Sequence, residues 1–146
     1  MAFASFEDIE AWKEARSLMR LVRKFTKRAV AKKDWAWADQ ISRATVSIMA
    51  NIAEGNDATT NPEFIMFLGY AKRSAAEVRS LLYPGLDDGY VLEKEFEEAS
   101  AMTKKIGAQL AKLMRYLHEH TKPNRIGTSK PATPLPSYQA TNISCN

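Results

Sequence analysis

Apolar residues recur along this chain at intervals of three and four over four long stretches, the pattern of helices that each bury one face. The first stretch is predicted to run from Phe6 or Asp8 to about Ala31. At 100° per residue, Ala11, Trp12, Ala15, Leu18, Met19, Val22, Phe25 and Ala29 fall within an arc of roughly 140°. Lys13, Arg16, Arg20, Arg23, Lys24, Lys27 and Arg28 occupy the opposite arc, and Leu21 lies on the border. The second stretch follows Asp34, a suitable N-cap, and is predicted to run to Glu54. Its seam is Ala38, Ile41, Thr45, Ile48 and Ile52, and Gly55-Asn56-Asp57 is expected to stop it with a left-handed residue.

Three start signals coincide at Asn61-Pro62-Glu63: a cap, a proline at the first helical position and an acid in the first turn. The third helix then reads Phe64-Ile65-Met66-Phe67-Leu68-Gly69-Tyr70, apolar or aromatic on every side. A helix of that kind is buried on more than one side. Phe64, Ile65, Phe67 and Tyr70 are therefore expected to serve a contact with another subunit as well as the core; the competing reading is a locally thick core covered by the N-terminal segment. Pro84-Gly85 is expected to end or kink this helix, because proline has no N–H for the carbonyl four residues back. Asp87-Asp88-Gly89 follows as a turn.

The fourth helix is predicted to start near Leu92, with Glu93, Glu95, Glu97 and Glu98 at the positive end of its dipole. Phe96, Ala99, Thr103, Ile106, Leu110, Leu113 and Leu117 form its seam. Short connections between four helices predict an all-α, antiparallel up-down four-helix bundle over residues 1–122. From Pro123 the period is lost, and residues 123–146, Pro-rich and polar, read as a disordered tail.

Composition narrows the function. A chain of 146 residues with 45% hydrophobic residues supports one domain with a packed core. The one cysteine, Cys145, has no partner for an internal disulfide, and His118 and His120 are spaced to point apart rather than to chelate. No basic and apolar leader opens the sequence, and no apolar run is long enough for a membrane span, so a cytoplasmic protein with no membrane contact is expected. Glycine-rich phosphate loops, zinc-ligand spacings and nucleophile elbows are missing. The Glu-x-x-His pairs that di-iron bundles place on facing helices are missing too. The expectation is a protein that is not an enzyme and has no cofactor.

Charge is more informative in blocks than in total. The net charge of +4 hides nine Lys or Arg against Glu14 in residues 13–33, and six acids against Lys94 in residues 86–98. Seven Lys or Arg stand against Glu119 in residues 104–130. Arg16, Arg20, Arg23, Lys24, Lys27 and Arg28 make a cationic stripe on a helix about 25–30 Å long, suited to tracking a phosphate backbone without reading bases. The competing reading is a solvated outer face, partly neutralised by the acidic start of the fourth helix, which an up-down bundle brings to the same end. The residues alone leave both open.

Longer motifs add a resemblance. The stretch Phe6-Glu7-Asp8-Ile9-Glu10-Ala11-Trp12-Lys13-Glu14-Ala15 resembles the opening signature of the bacterial four-helix-bundle family named after proteins encoded in 23S ribosomal RNA intervening sequences. Residues 40–55, which contain Asn51-Ile52-Ala53-Glu54-Gly55, are similar to its most specific segment. Glu63-Phe64, Ala71, Ser74, Glu77-Val78-Arg79 and Gly89-Tyr90 continue the match over about residues 5–120. The resemblance implies a homopentamer. It also implies kinship with the accessory proteins of diversity-generating retroelements, basic bundles that bind a reverse transcriptase and its template RNA. Arg73, where the family commonly has glycine, and Pro84-Gly85, where its helix continues, depart from the pattern. Two functions follow as expectations: an oligomeric accessory protein that binds RNA or a nucleic-acid enzyme, or a scaffold that binds only proteins.

Overall fold

The computed structural model describes residues 3–121, and the predicted tail lies outside them. A short 3-10 turn, Phe6–Asp8, leads into four helices: α1 (Glu10–Ala31), α2 (Trp35–Asn56), α3 (Asn61–Asp87) and α4 (Glu93–Glu119). Each helix packs on its neighbours in sequence, and α1 closes the ring against α4. Cross-contacts fix the direction of each pair. Glu14 meets Lys105 while Arg28 meets Glu95, so α1 and α4 run antiparallel. Asn61, at the start of α3, donates to the carbonyl of Leu117 at the end of α4. Among the described residues there are four α-helices and no strand, the four-helix bundle that the apolar periods predict.

The seams form the core. Leu18, Val22 and Phe25 of α1, Ile41, Ile48 and Ile52 of α2, Leu68 and Leu82 of α3, and Ile106 and Leu110 of α4 are fully buried. Burying a large side chain of this kind stabilises the fold by about 1.5–3 kcal/mol. Two buried hydroxyls are satisfied inside their own helices: Thr45 donates to the Ile41 carbonyl and Thr103 to that of Ser100. Ser47 and Ser74 bridge α2 and α3 at 2.9 Å, and Asn51 holds Ser47 in place through both its carbonyl and its hydroxyl.

Several local expectations are corrected. Gly55 is not a left-handed stop, because α2 continues to Asn56 and Asp57 follows with φ −80. The glycine is there for close approach: a Cβ would lie 2.7 Å from Phe64 Cδ2 and 3.0 Å from Phe67 Cβ. Left-handed backbone falls instead at Lys33 (φ 64) and Gly89 (φ 78), in the connections after α1 and α3. Thr60, not Asn61, caps α3 by accepting from the Glu63 N–H.

Pro84 lies inside α3, which neither ends nor breaks there but runs on to Asp87. Tertiary contacts hold the chain beyond the proline. Trp37 Nε1 donates to the Leu81 carbonyl at 2.9 Å, and the Gly85 carbonyl accepts from the N–H groups of both Tyr90 and Val91. Gly85 admits the Trp37 ring, since a Cβ there would overlap it and come within 2.8 Å of Val91 Cγ2.

Candidate nucleic-acid interface

Capping and turn chemistry at one end of the bundle decide which cations remain available. Asp34 caps α2 through the Trp37 N–H and also accepts from the Tyr90 hydroxyl at 3.0 Å. Burial, that hydrogen bond, and the charges of Asp34 and then Asp88 raise the Tyr90 phenol above its ordinary value, so it remains a donor. Tyr90 stacks at a tilt on Trp37, with ring centroids 5.2 Å apart. The connection between α3 and α4 is thereby pinned to the connection between α1 and α2.

Arg28, expected among the phosphate contacts, is committed to this junction. Its guanidinium grips both carboxylate oxygens of Glu95, at 2.5 and 3.2 Å, and donates to the Tyr90 carbonyl at 3.0 Å. Glu95 also accepts from the Leu92 N–H, so one carboxylate caps α4 and clamps the end of α1. Burial raises the Glu95 pKa, but the hydrogen bonds from Arg28 and Leu92 and the charges of Arg28 and Lys24 outweigh it, and the net shift is downward. Sequence reasoning placed Arg28 on the stripe by angle. Its position at the edge nearest α4, together with the acidic run beginning at Glu93, was the signal that it would pair.

The remaining five stripe residues have a different environment. Arg16, Arg20, Arg23, Lys24 and Lys27 are exposed along α1, and none makes an ion pair among the described residues. Lys13 is paired with Glu10 at 3.0 Å, and Glu14 with Lys105 at 3.0 Å. The acidic start of α4 therefore pairs with one cation of the stripe, while the other five are exposed, Lys24 lying near enough for its charge to favour ionised Glu95 without an ion pair. From Arg16 to Lys27 they span about 16 Å of helix, which covers two to three single-strand phosphate steps.

The expected subunit-contact residues divide. Phe64 is 4% exposed and packs on Gly55, so it belongs to the protomer's own core. Ile65 and Phe67 are half-buried and Tyr70 is exposed, beside the exposed Met66. The Arg73 guanidinium lies 5.7 Å from the Tyr70 ring centroid, a cation–π contact on the outer side of α3. His118 and His120 are exposed, and the His120 ring stacks on Tyr116. Among the described residues no group of His, Cys, Asp or Glu is placed to hold a metal ion, and no helix is long and apolar enough to cross a membrane.

Comparison with known proteins agrees with the motif reading. The crystal structure of a protein of unknown function from the S23 ribosomal protein family of Bacteroides thetaiotaomicron has the same fold, with a TM-score of 0.66 at 23% identity. The match covers 72% of this chain and 98% of that one. No curated protein is significantly similar. The family model for the 23S rRNA-intervening sequence protein matches residues 7–112, and the chain belongs to that family.

Proposed function

We propose that this protein is a non-catalytic, oligomeric accessory protein that binds RNA, alone or together with a nucleic-acid enzyme such as a reverse transcriptase, through the outer face of α1. The observation that carries this reading is the row of five exposed cations, Arg16, Arg20, Arg23, Lys24 and Lys27, without acidic partners among the described residues. Aligned charges on a rigid helix hold a phosphate backbone without the ordering cost that a flexible basic segment carries. Assembly into a homopentamer, with Ile65, Phe67, Tyr70 and the exposed Met66 toward a neighbour, would repeat the row five times and deepen its field.

A variant with Arg20→Glu and Lys24→Glu tests the reading. Neither side chain makes a hydrogen bond or ion pair to another described residue, and Lys24 supplies only the smallest of the influences that keep Glu95 ionised, so the fold should be retained. RNA affinity in a filter-binding assay should fall about tenfold in moderate salt, while light scattering should give the same pentamer mass for variant and wild type. Unchanged RNA retention would reduce the stripe to a solvated face. In that case a wild-type protein that lacks RNA affinity but captures a protein would be the protein-only scaffold.

A further inference from the structure

The most exposed large apolar side chain among the described residues stands beside the cationic row. Trp35, the first residue of α2, is 64% exposed and lies off the buried seam of its helix. It forms one wall of a groove of about 630 Å³ between α1 and α2, which Arg23 of α1 also lines. The floor is Thr26, Val30 and Ala38, and Asp39 and Ser42 lie farther along α2. A single exposed apolar side chain needs no explanation by itself, but Trp35 shares this groove with Arg23 of the cationic row.

We infer that Trp35 is a stacking platform for an unpaired base of single-stranded RNA, with Arg23 holding an adjacent phosphate. The inference rests on the proposed RNA reading and narrows it to a substrate class. Charge favours this occupant over an apolar protein segment. A protein helix seated in the groove would have to desolvate Arg23 with no acid offered in return, whereas a nucleotide brings its own anion together with a flat apolar face. Asp39, the one acid in the groove, is already held by Arg43 at 2.7 Å and so repels a phosphate less. A duplex keeps its bases stacked inside and offers nothing for the indole. Selectivity for single strands over duplex therefore follows from Trp35, and general affinity for either follows from the cations.

Trp35→Ala and Trp35→Phe in the full-length chain test this, with labelled oligo(A) RNA as probe, alone or annealed to oligo(U). Stacking on an aromatic side chain strengthens single-strand binding by roughly 5- to 150-fold. Trp35→Ala should therefore weaken oligo(A) binding about tenfold and leave duplex binding within about twofold, with Trp35→Phe recovering most of the loss. Equal losses on both probes, or no loss on either, would overturn the stacking site. So would a change of assembly mass in Trp35→Ala, which would make the indole a subunit contact. If Trp35→Ala binds as wild type does while the Arg20→Glu and Lys24→Glu pair weakens both probes, the stacking site fails alone. If the wild type binds neither probe, the RNA reading fails with it.

Discussion

Replacing Trp37 with alanine should destabilise the protein by about 3–5 kcal/mol, the cost expected for deleting a large buried aromatic. Three separate losses combine at this position. The indole is 7% exposed, so its removal leaves a cavity against Gly85, which approaches it closely. Its Nε1 donor to the Leu81 carbonyl disappears, in the turn where Pro84 already removes a backbone donor. Tyr90 loses its ring partner, and the link between the α1–α2 and α3–α4 connections is left to polar contacts of Arg28, Lys32 and Asp34. Urea unfolding should show a lower midpoint with an unchanged slope. A loss near 1 kcal/mol would mean that the proline-containing end of α3 is held by something other than this indole.

Glu95→Gln is the second large effect, about 2 kcal/mol at neutral pH. The amide keeps the shape but loses a two-pronged, charge-assisted grip on Arg28 and weakens the acceptor for the Leu92 N–H. The figure stays below that of a fully buried pair because the Arg28 side chain is 37% exposed. Its pH dependence has a definite sign. Burial opposes ionisation of Glu95, but Arg28, Leu92 and Lys24 overcome it, so the folded pKa is below the unfolded one. The stabilisation is therefore fully present above the ordinary glutamate value of about 4.3 and is lost as pH falls through the lower folded value. Midpoints of wild type and variant should converge on acidification, and a gap that widened with acid would contradict the assignment.

The core was legible in the sequence because three- and four-residue spacing reports burial directly. Of the eight residues that angle alone places on one face of α1, Ala11, Ala15, Leu18, Val22, Phe25 and Ala29 are buried, and Trp12 and Met19 at its margins are half-buried. The misreadings share one cause, which is that a residue type has several uses and only a neighbour distant in sequence selects among them. Gly55 reads as a stop, yet Phe64 and Phe67 need its missing Cβ. Pro84 reads as a break, yet Trp37 and the two N–H donors at Tyr90 and Val91 carry the helix past it.

The basic face was legible as an arc of charge, but its composition depended on pairing. Arg28 differs from Lys27 by one position, and that step turns it from solvent toward Glu95. Trp35 was passed over because it is off the seam, and an aromatic directly after a cap carries no periodic signal. Its meaning depends on Arg23 across the groove, which only the packing of α1 on α2 supplies.

The central claim is that the five exposed cations of α1, which make no ion pair among the described residues, contact phosphates, and the salt dependence of RNA binding tests it most directly. Each single-strand phosphate contact contributes about −0.7 to the slope of log affinity against log salt concentration. Wild type should show a steep negative slope. Changing Arg16, Arg20, Arg23, Lys24 and Lys27 together to glutamine should flatten it by about 0.7 for every contact removed, with helix content and assembly mass unchanged. The same slope in the wild type and in a folded five-glutamine variant would contradict the account.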